Sequence, residues 1–311
     1  MNPEVRRAAE ILRRGGLVAF PTETVYGLGA DASSAAAIER LYRVKGRPAG
    51  HPVIVHFASA DEAFRWAREV PEGARLLAER FWPGPLTLIL KRSPLAKDFV
   101  TGAQDNVGLR VPSHPVAQDL LKTFGKGIAA PSANRFGRVS PTTARHVRED
   151  LGDDADLILE GGPTEVGIES TIVDFSGGAP VLLRPGHIAR SELEEILKSR
   201  IEDRDSASPR HPGGLARHYA PRTPARLVPA HQLDKEIARL DGKAAVLAFS
   251  RPDERVDYWL RMPRAPLAYA QRLYAALREL DEAGCEVILV EAPPDAPEWA
   301  AVLDRLRRAC R

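Results

Sequence analysis

The sequence predicts an α/β fold with a mixed sheet, followed by a smaller α/β unit, and three observations carry that expectation. Short runs rich in Val, Ile and Leu alternate with segments whose apolar residues recur every three or four positions. Several of these runs are joined by turns too short to hold a helix, which a purely parallel sheet forbids. Both periods then stop between Arg204 and Arg226, where "RDSASPRHPGGLARHYAPRTPAR" has Pro and Gly punctuation, five arginines and one aspartate. The expected organisation is a first domain over residues 1–203, a linker over 204–224 and a second domain over 225–311.

Taken in order, "MNPEVRRAAEILRRGG" reads as an amphipathic helix with Val5, Ala8, Ala9 and Leu12 on one face. It lacks the apolar centre of an export signal. "LVAF" is a strand, and "SSAAAIERLYRV" is a helix capped by Ser33 or Ser34 with Ile38, Leu41 and Tyr42 facing inward. "VIVHF", "LTLIL", "VGLRV", "GIAA", "LILE", "STIVDF" and "PVLLR" are further strands. Helices are expected over Glu72 to Phe81, Val116 to Phe124, Thr143 to Leu151 and Ser191 to Ser199. Past the linker, "KAAVLAFS", a helix from Leu267 to Ala283, "CEVILVEA" and a closing helix form a βαβ-type unit.

Composition excludes several classes of function. The 44 basic and 42 acidic residues leave a net charge of +2, so no global field marks a nucleic-acid coat or a membrane-surface protein. Cys285 and Cys310 have no metal-ligand spacing and fit a reducing cytoplasm. No stretch reaches transmembrane length, no "GxxxxGK[ST]" loop occurs, and the eight histidines show no zinc spacing.

What remains is local. "FPTETVYGLG" starts as a buried strand and then crowds two hydroxyls, a carboxylate and a phenol beside glycines, as the wall of a pocket does. Lys45 and Arg47 sit at a helix end before Pro48 and Pro52, where they complement the helix dipole or face a polyphosphate. Ser132, Asn134 and Ser140 lie in a Gly- and Pro-marked loop, suited either to an ordinary turn or to phosphates and ribose hydroxyls. Arg110 and Arg184 interrupt apolar strands and each needs an anion, from the protein or from a ligand.

In that order, "FPTETVYGLGADA", "KGRPAGHPVIVH", "FWPGPLTLIL", "VGLRVP", "APSAN", "SPT", "GIESTIVD" and "LLRPG" closely resemble the Sua5/YrdC/YciO family of threonylcarbamoyl-AMP synthases. The similarity runs from about Val5 to Arg200, and "HYAP" with the C-terminal unit resembles the long, two-domain form. The resemblance implies a twisted open sheet around a large cleft, with a Rossmann-like second domain. It implies a cytoplasmic nucleotidyltransferase that joins L-threonine, bicarbonate and ATP, with Mg²⁺ on the phosphates, into threonylcarbamoyl-AMP and pyrophosphate. The product serves a downstream threonylcarbamoyl transferase acting on adenosine 37 of tRNA, and weak tRNA binding is a further implied property.

Carried over by position, the resemblance implies a threonine subsite of Thr24, His56, Arg110, Ala130 and Ser170. It implies ATP contacts from Lys45, Arg47, His51, Asn106, Ser132, Asn134, Ser140, Arg184 and Tyr219, with Lys45 and Arg47 closest to the chemistry. His51 stands where the family often has Asn, Asn106 where it often has Thr, and "HPGGLARHYAP" replaces a more usual "PGM-x-x-x-HYAP".

Overall fold

The structure is a computed structural model that describes residues 2–48, 50–215 and 218–310; Ala49, Ala216 and Arg217, within two of the motifs above, lie outside them. The chain divides into two compact units. The first comprises Met1–Phe136, Pro141–Glu165 and Glu169–Gly214, and the second Gly137–Ser140, Val166–Ile168 and Leu215–Arg311.

The first unit is built on a ten-stranded mixed sheet. Its strands are β1 (Val18–Phe20), β2 (Gly27–Asp31), β3 (Ile54–His56), β4 (Leu86–Lys91), β5 (Asn106–Arg110), β6 (Ile128–Ala129), β7 (Leu157–Ile158), β8 (Thr171–Asp174), β9 (Val181–Arg184) and β10 (Glu202–Asp203). They are ordered β10-β9-β8-β4-β5-β3-β6-β2-β1-β7. The β1–β2, β4–β5 and β8–β9 pairs are antiparallel, while β3–β5 and β4–β8 are parallel, so the sheet is mixed as the short connections require.

Strand alternation gives the sheet two different faces. Leu17, Ala19, Val55, Leu88, Leu109 and Val173 join the main core, with Ile38 and Leu41 from the helix Ala35–Lys45 and Leu77 from the helix Glu72–Phe81. On the other face Val18, Phe20 and Ile128 pack with Val5, Ala8, Ala9 and Leu12 of the helix Pro3–Arg13 and with Leu120, Leu121 and Phe124 of the helix Pro115–Phe124. Farther along that second face, a small cluster of Ile54, Ile89, Ile172 and Leu183 takes over.

Local chemistry sets the helix ends. Asn2, Ser34 and Thr143 each accept a backbone N–H from the first turn of their helices. Gly46 ends the helix Ala35–Lys45 in the left-handed region at φ 65°, which turns the chain between Lys45 and Arg47.

The second unit holds a four-stranded parallel sheet of β11 (Ala225–Val228), β12 (Ala244–Ala248), β13 (Tyr258–Arg261) and β14 (Val287–Glu291), ordered β11-β14-β12-β13. The helices Pro266–Asp281 and Ala300–Ala309 accompany it. Within this unit Arg278 donates to the Val139 carbonyl at 2.6 Å and Ala220 N–H to the Gly137 carbonyl at 2.9 Å. Those bonds explain why residues 137–140, distant in sequence, group with it.

Candidate active site

Two strands and a loop of the first unit bring Thr24, His56 and Arg110 together. His56 is the partner of Arg110 across β3–β5, and Ile54 the partner of Gly108 two residues earlier, so His56 and Arg110 share the face that carries the Ile54 cluster. The loop between β1 and β2 reaches Arg110, whose Nη2 donates to Glu23 Oε1 at 2.7 Å and to Thr24 Oγ1 at 2.9 Å. Glu23 also accepts Ser113 N–H at 3.1 Å, and Thr22 Oγ1 lies 2.8 Å from Thr24 Oγ1. The Thr24 hydroxyl and Glu23 carboxylate that interrupt the opening strand are therefore buried partners of an arginine from a strand four positions away in the sheet.

Arg110 thus has a protein carboxylate as partner, one of the two anions its sequence position called for. It keeps a buried Nε without a hydrogen bond, and His56 keeps a buried Nδ1 in the same condition. Burial, with Arg110 beside it, lowers the His56 pKa from its usual value to about 3, so the imidazole is neutral at pH 7. This corner offers a cation, a neutral ring and a threonine hydroxyl, with two polar atoms unspent. Ala130 lies on the adjoining strand end, where its N–H donates to the Ile54 carbonyl at 3.1 Å.

Ser170 precedes β8 and is fully buried. Its hydroxyl pairs with Thr87 Oγ1 at 2.8 Å and accepts Arg184 Nη2 at 3.1 Å, while Arg184 Nε donates to the Ser170 carbonyl at 3.0 Å. Arg184 Nη1 donates to the Pro212 carbonyl at 3.0 Å. The sequence reading assigned Ser170 to threonine and Arg184 to ATP; in the structure the two touch, and Arg184 also ties down the chain at Pro212.

A second group gathers around the end of the helix Ala35–Lys45. Lys45 Nζ donates to the carbonyls of Ser132 and Asn134, both at 2.5 Å, and Phe136 N–H donates to the Lys45 carbonyl at 2.8 Å. Burial, and secondarily Arg47, pushes the Lys45 amine well below its usual pKa. The Arg47 guanidinium lies 5.7 Å from the Phe136 ring centre and donates to the Pro52 carbonyl at 2.8 Å. His51 also meets Phe136, edge-on at 5.7 Å. Its pKa is lowered by partial burial, then by Arg47 and Arg210.

The remaining candidates belong to other elements of the chain. Asn106 opens β5 opposite Lys91, and its side chain makes no hydrogen bond among the described residues. Ser140 and Tyr219 belong to the second unit. Tyr219 is buried there at φ 60°, stacked on Tyr274 at 5.7 Å and facing the Arg305 guanidinium at 5.5 Å.

Sequence reasoning did not single out Glu23, Thr87, Phe136 or Arg210. Arg210 donates to the carbonyls of Gly50 and Gly102, each at 2.7 Å, and its own backbone pairs with Gln104. The one sequence signal for Glu23 was a carboxylate amid hydroxyls in a buried stretch, together with an arginine lacking a local partner. Among the described residues no group of His, Cys, Asp and Glu could hold a metal ion, and no helix is long and apolar enough to cross a membrane.

A family model described as "Telomere recombination", covering Sua5, YciO and YrdC, matches residues 10–186. A second, described as "Threonylcarbamoyl-AMP synthase, C-terminal domain", matches residues 188–310. A threonylcarbamoyl-AMP synthase of Pyrococcus abyssi is 39% identical over 98% of this chain and 94% of its own length. One of Bacillus subtilis is 38% identical over 99% of this chain and 93% of its own. The crystal structure of P. abyssi Sua5 complexed with L-threonine matches with a TM-score of 0.93 at 38% identity, over 99% of this chain and 94% of that one. With the two matches together covering residues 10–186 and 188–310, the chain belongs to the Sua5/YrdC/YciO family.

Proposed function

We propose that this chain is a threonylcarbamoyl-AMP synthase, joining L-threonine, bicarbonate and ATP into L-threonylcarbamoyladenylate with release of pyrophosphate. The observation that carries the reading is the buried Arg110–Thr24–His56 corner with its two unspent polar atoms, in a chain similar over almost its whole length to a protein crystallised with L-threonine. A carboxylate can take the open Nε side of Arg110, and a hydroxyl can take His56 Nδ1. A groove that only gripped a nucleic-acid backbone would have no use for such a corner.

The chemistry needs no covalent enzyme intermediate. The threonine amine adds to bicarbonate-derived carbon dioxide, forming an N–C bond and losing a proton. A carbamate oxygen then forms a bond to the α-phosphorus as the bond to pyrophosphate breaks. Holding the reactants in line and offsetting charge on the leaving group are the protein's contributions. Arg47 supplies a cation fixed against Phe136. Lys45 holds the Ser132–Asn134 loop in shape through its two carbonyl contacts. Mg²⁺ is best treated as part of the nucleotide substrate, because the described residues assemble no donor cluster for it. The adenylate is a reactive mixed anhydride, and a threonylcarbamoyl transferase that modifies adenosine 37 of tRNA is the reaction that would consume it.

Incubating the purified chain with ATP, bicarbonate and labelled threonine should yield pyrophosphate and a threonine-labelled adenylate detectable by mass spectrometry. Pyrophosphate without threonine dependence, or no adenylate, would refute the assignment.

A further inference from the structure

We propose that Thr22 is a positioning residue for the reaction: it takes the hydroxyl proton of Thr24, so that the Thr24 oxygen meets the substrate nitrogen only as an acceptor. The inference rests on the threonine reading above and deepens it by fixing where one proton sits.

Each hydroxyl has one proton and two lone pairs to place. Thr22 Oγ1 lies 2.7 Å from the Val25 carbonyl, which can only accept, so the Thr22 proton goes there. The two threonine hydroxyls are 2.8 Å apart, and with the Thr22 proton already placed that contact requires Thr24 to donate. Arg110 Nη2 can only donate, and at 2.9 Å it fills one lone pair of Thr24. The reverse order, with Thr22 donating to Thr24, would leave the Thr24 proton without an acceptor among the described residues in a fully buried side chain. A buried donor left in that condition is costly. The backbone holds the direction, since the N–H groups of Thr24 and Val25 also point at Thr22 Oγ1, at 3.2 and 3.3 Å.

One lone pair of Thr24 is then left beside Arg110. A substrate whose carboxylate takes the Nε side of Arg110 carries its amine on the adjoining carbon, next to Thr24. The chemistry needs this polarity. In carbamate formation the nitrogen lone pair becomes the N–C bond, one C=O pair of carbon dioxide moves onto oxygen, and the hydroxide left from bicarbonate takes an N–H proton as water. An O–H aimed at the nitrogen would tie up the lone pair that must attack. An accepting oxygen takes an N–H instead and holds the nitrogen with its lone pair turned away from Thr24.

Thr22→Val keeps the shape of the side chain, removes the acceptor and gives Thr24 a proton to offer the amine. Steady-state pyrophosphate release should show kcat reduced about tenfold, the loss expected for one misdirected hydrogen bond, with the threonine KM changed by less than about twofold. Thr22→Ser should restore most of kcat, because its hydroxyl can repeat the arrangement. Calorimetry on the unmodified protein gives a second test, with analogues of L-threonine in which hydroxyl, hydrogen or fluorine replaces the amine. Hydroxyl can donate to Thr24, hydrogen cannot, and fluorine sets lone pairs against lone pairs, so affinity should fall in that order. In Thr22→Val the fluorine analogue should overtake the hydrogen one; if that variant does not fold, the order in the unmodified protein decides alone. Tighter binding of the fluorine than of the hydrogen analogue by the unmodified protein, a Thr22→Val loss confined to KM, or a Thr22→Ser variant no better than Thr22→Val would overturn the proposal while leaving the threonine reading intact. No binding or turnover of L-threonine by the unmodified protein would overturn both.

Discussion

Glu23 and Arg110 form a buried ion pair, with side chains only 4% and 5% exposed, and such a pair is costly to break from one side because the other charge is left without compensation. Glu23→Gln should therefore lower stability by about 3 kcal/mol, read from a denaturant midpoint. The same variant tests the threonine subsite. If Arg110 receives the substrate carboxylate, L-threonine supplies the missing charge and should raise the melting temperature of Glu23→Gln by more than that of the unmodified protein. An equal or smaller rise would remove Arg110 from the carboxylate. His56 gives an independent handle through pH. Its pKa is depressed to about 3 in the folded chain, so between pH 6.5 and 3 the unfolded chain binds a proton that the folded one does not. Stability is then fully present above pH 6.5 and falls as pH drops through that window, by about 1.4 kcal/mol per unit once the unfolded imidazole is charged. In His56→Gln this slope should be reduced by about one proton between pH 6 and 5, where carboxylates contribute least. An unchanged slope would mean the ring is not held neutral by burial.

Among the elements, β2 is the instructive case, because the sequence reading took "GLGAD" for part of a pocket wall and the structure makes it a central strand between β1 and β6. Two glycines hide the alternation that would have revealed it. They are needed for close approach: a Cβ on Gly29 would lie 2.8 Å from Ile128 Cγ2 and 2.9 Å from Phe20 Cε1. Gly29→Ala should accordingly destabilise by about 1–3 kcal/mol through overpacking, whereas Gly177→Ala, with open space around it, should change stability little. Equal midpoints for the two variants in urea would show that this contact can relax. The strands "VIVHF", "LTLIL" and "VGLRV" were legible as short apolar runs, and the helix Glu72–Phe81 from the spacing of Ala74, Leu77 and Ala78. β11 and β13 were not, since their exposure follows sheet edges and not a clear alternation. At the site, the residue types were legible from Thr24, His56 and Arg110, but pairing was not. That Glu23 meets Arg110, or that Lys45 spends its protons on the Ser132 and Asn134 carbonyls, depends on contacts 87 and 89 residues apart that no local pattern encodes.

At the level of the whole molecule, the family match to the first region stops at residue 186, while the first compact unit continues to Gly214. The difference is structural substance. Between them lie Leu193 and Ile201, both completely buried in the main core, and the helix Arg190–Leu197, whose Leu197 comes so close to Gly73 that a Cβ there would lie 2.9 Å from it. β10 pairs in parallel with β9 in the same stretch. Fully burying a Leu or Ile side chain is worth about 1.5–3 kcal/mol, so losing both removes about 3–6 kcal/mol. That is a large share of the roughly 5–15 kcal/mol that holds a domain folded. A fragment ending at Gly214 keeps all three core clusters of its sheet, although residues 137–140 and 166–168 lose the packing they have in the second unit. It should therefore unfold in one cooperative transition at a somewhat reduced midpoint. A fragment ending at His187 should melt far lower or show no cooperative transition by circular dichroism. If the two fragments melted together, the segment from Ile188 to Gly214 would be an appendage to the sheet; if neither folded, the second unit would be required for the first to form at all.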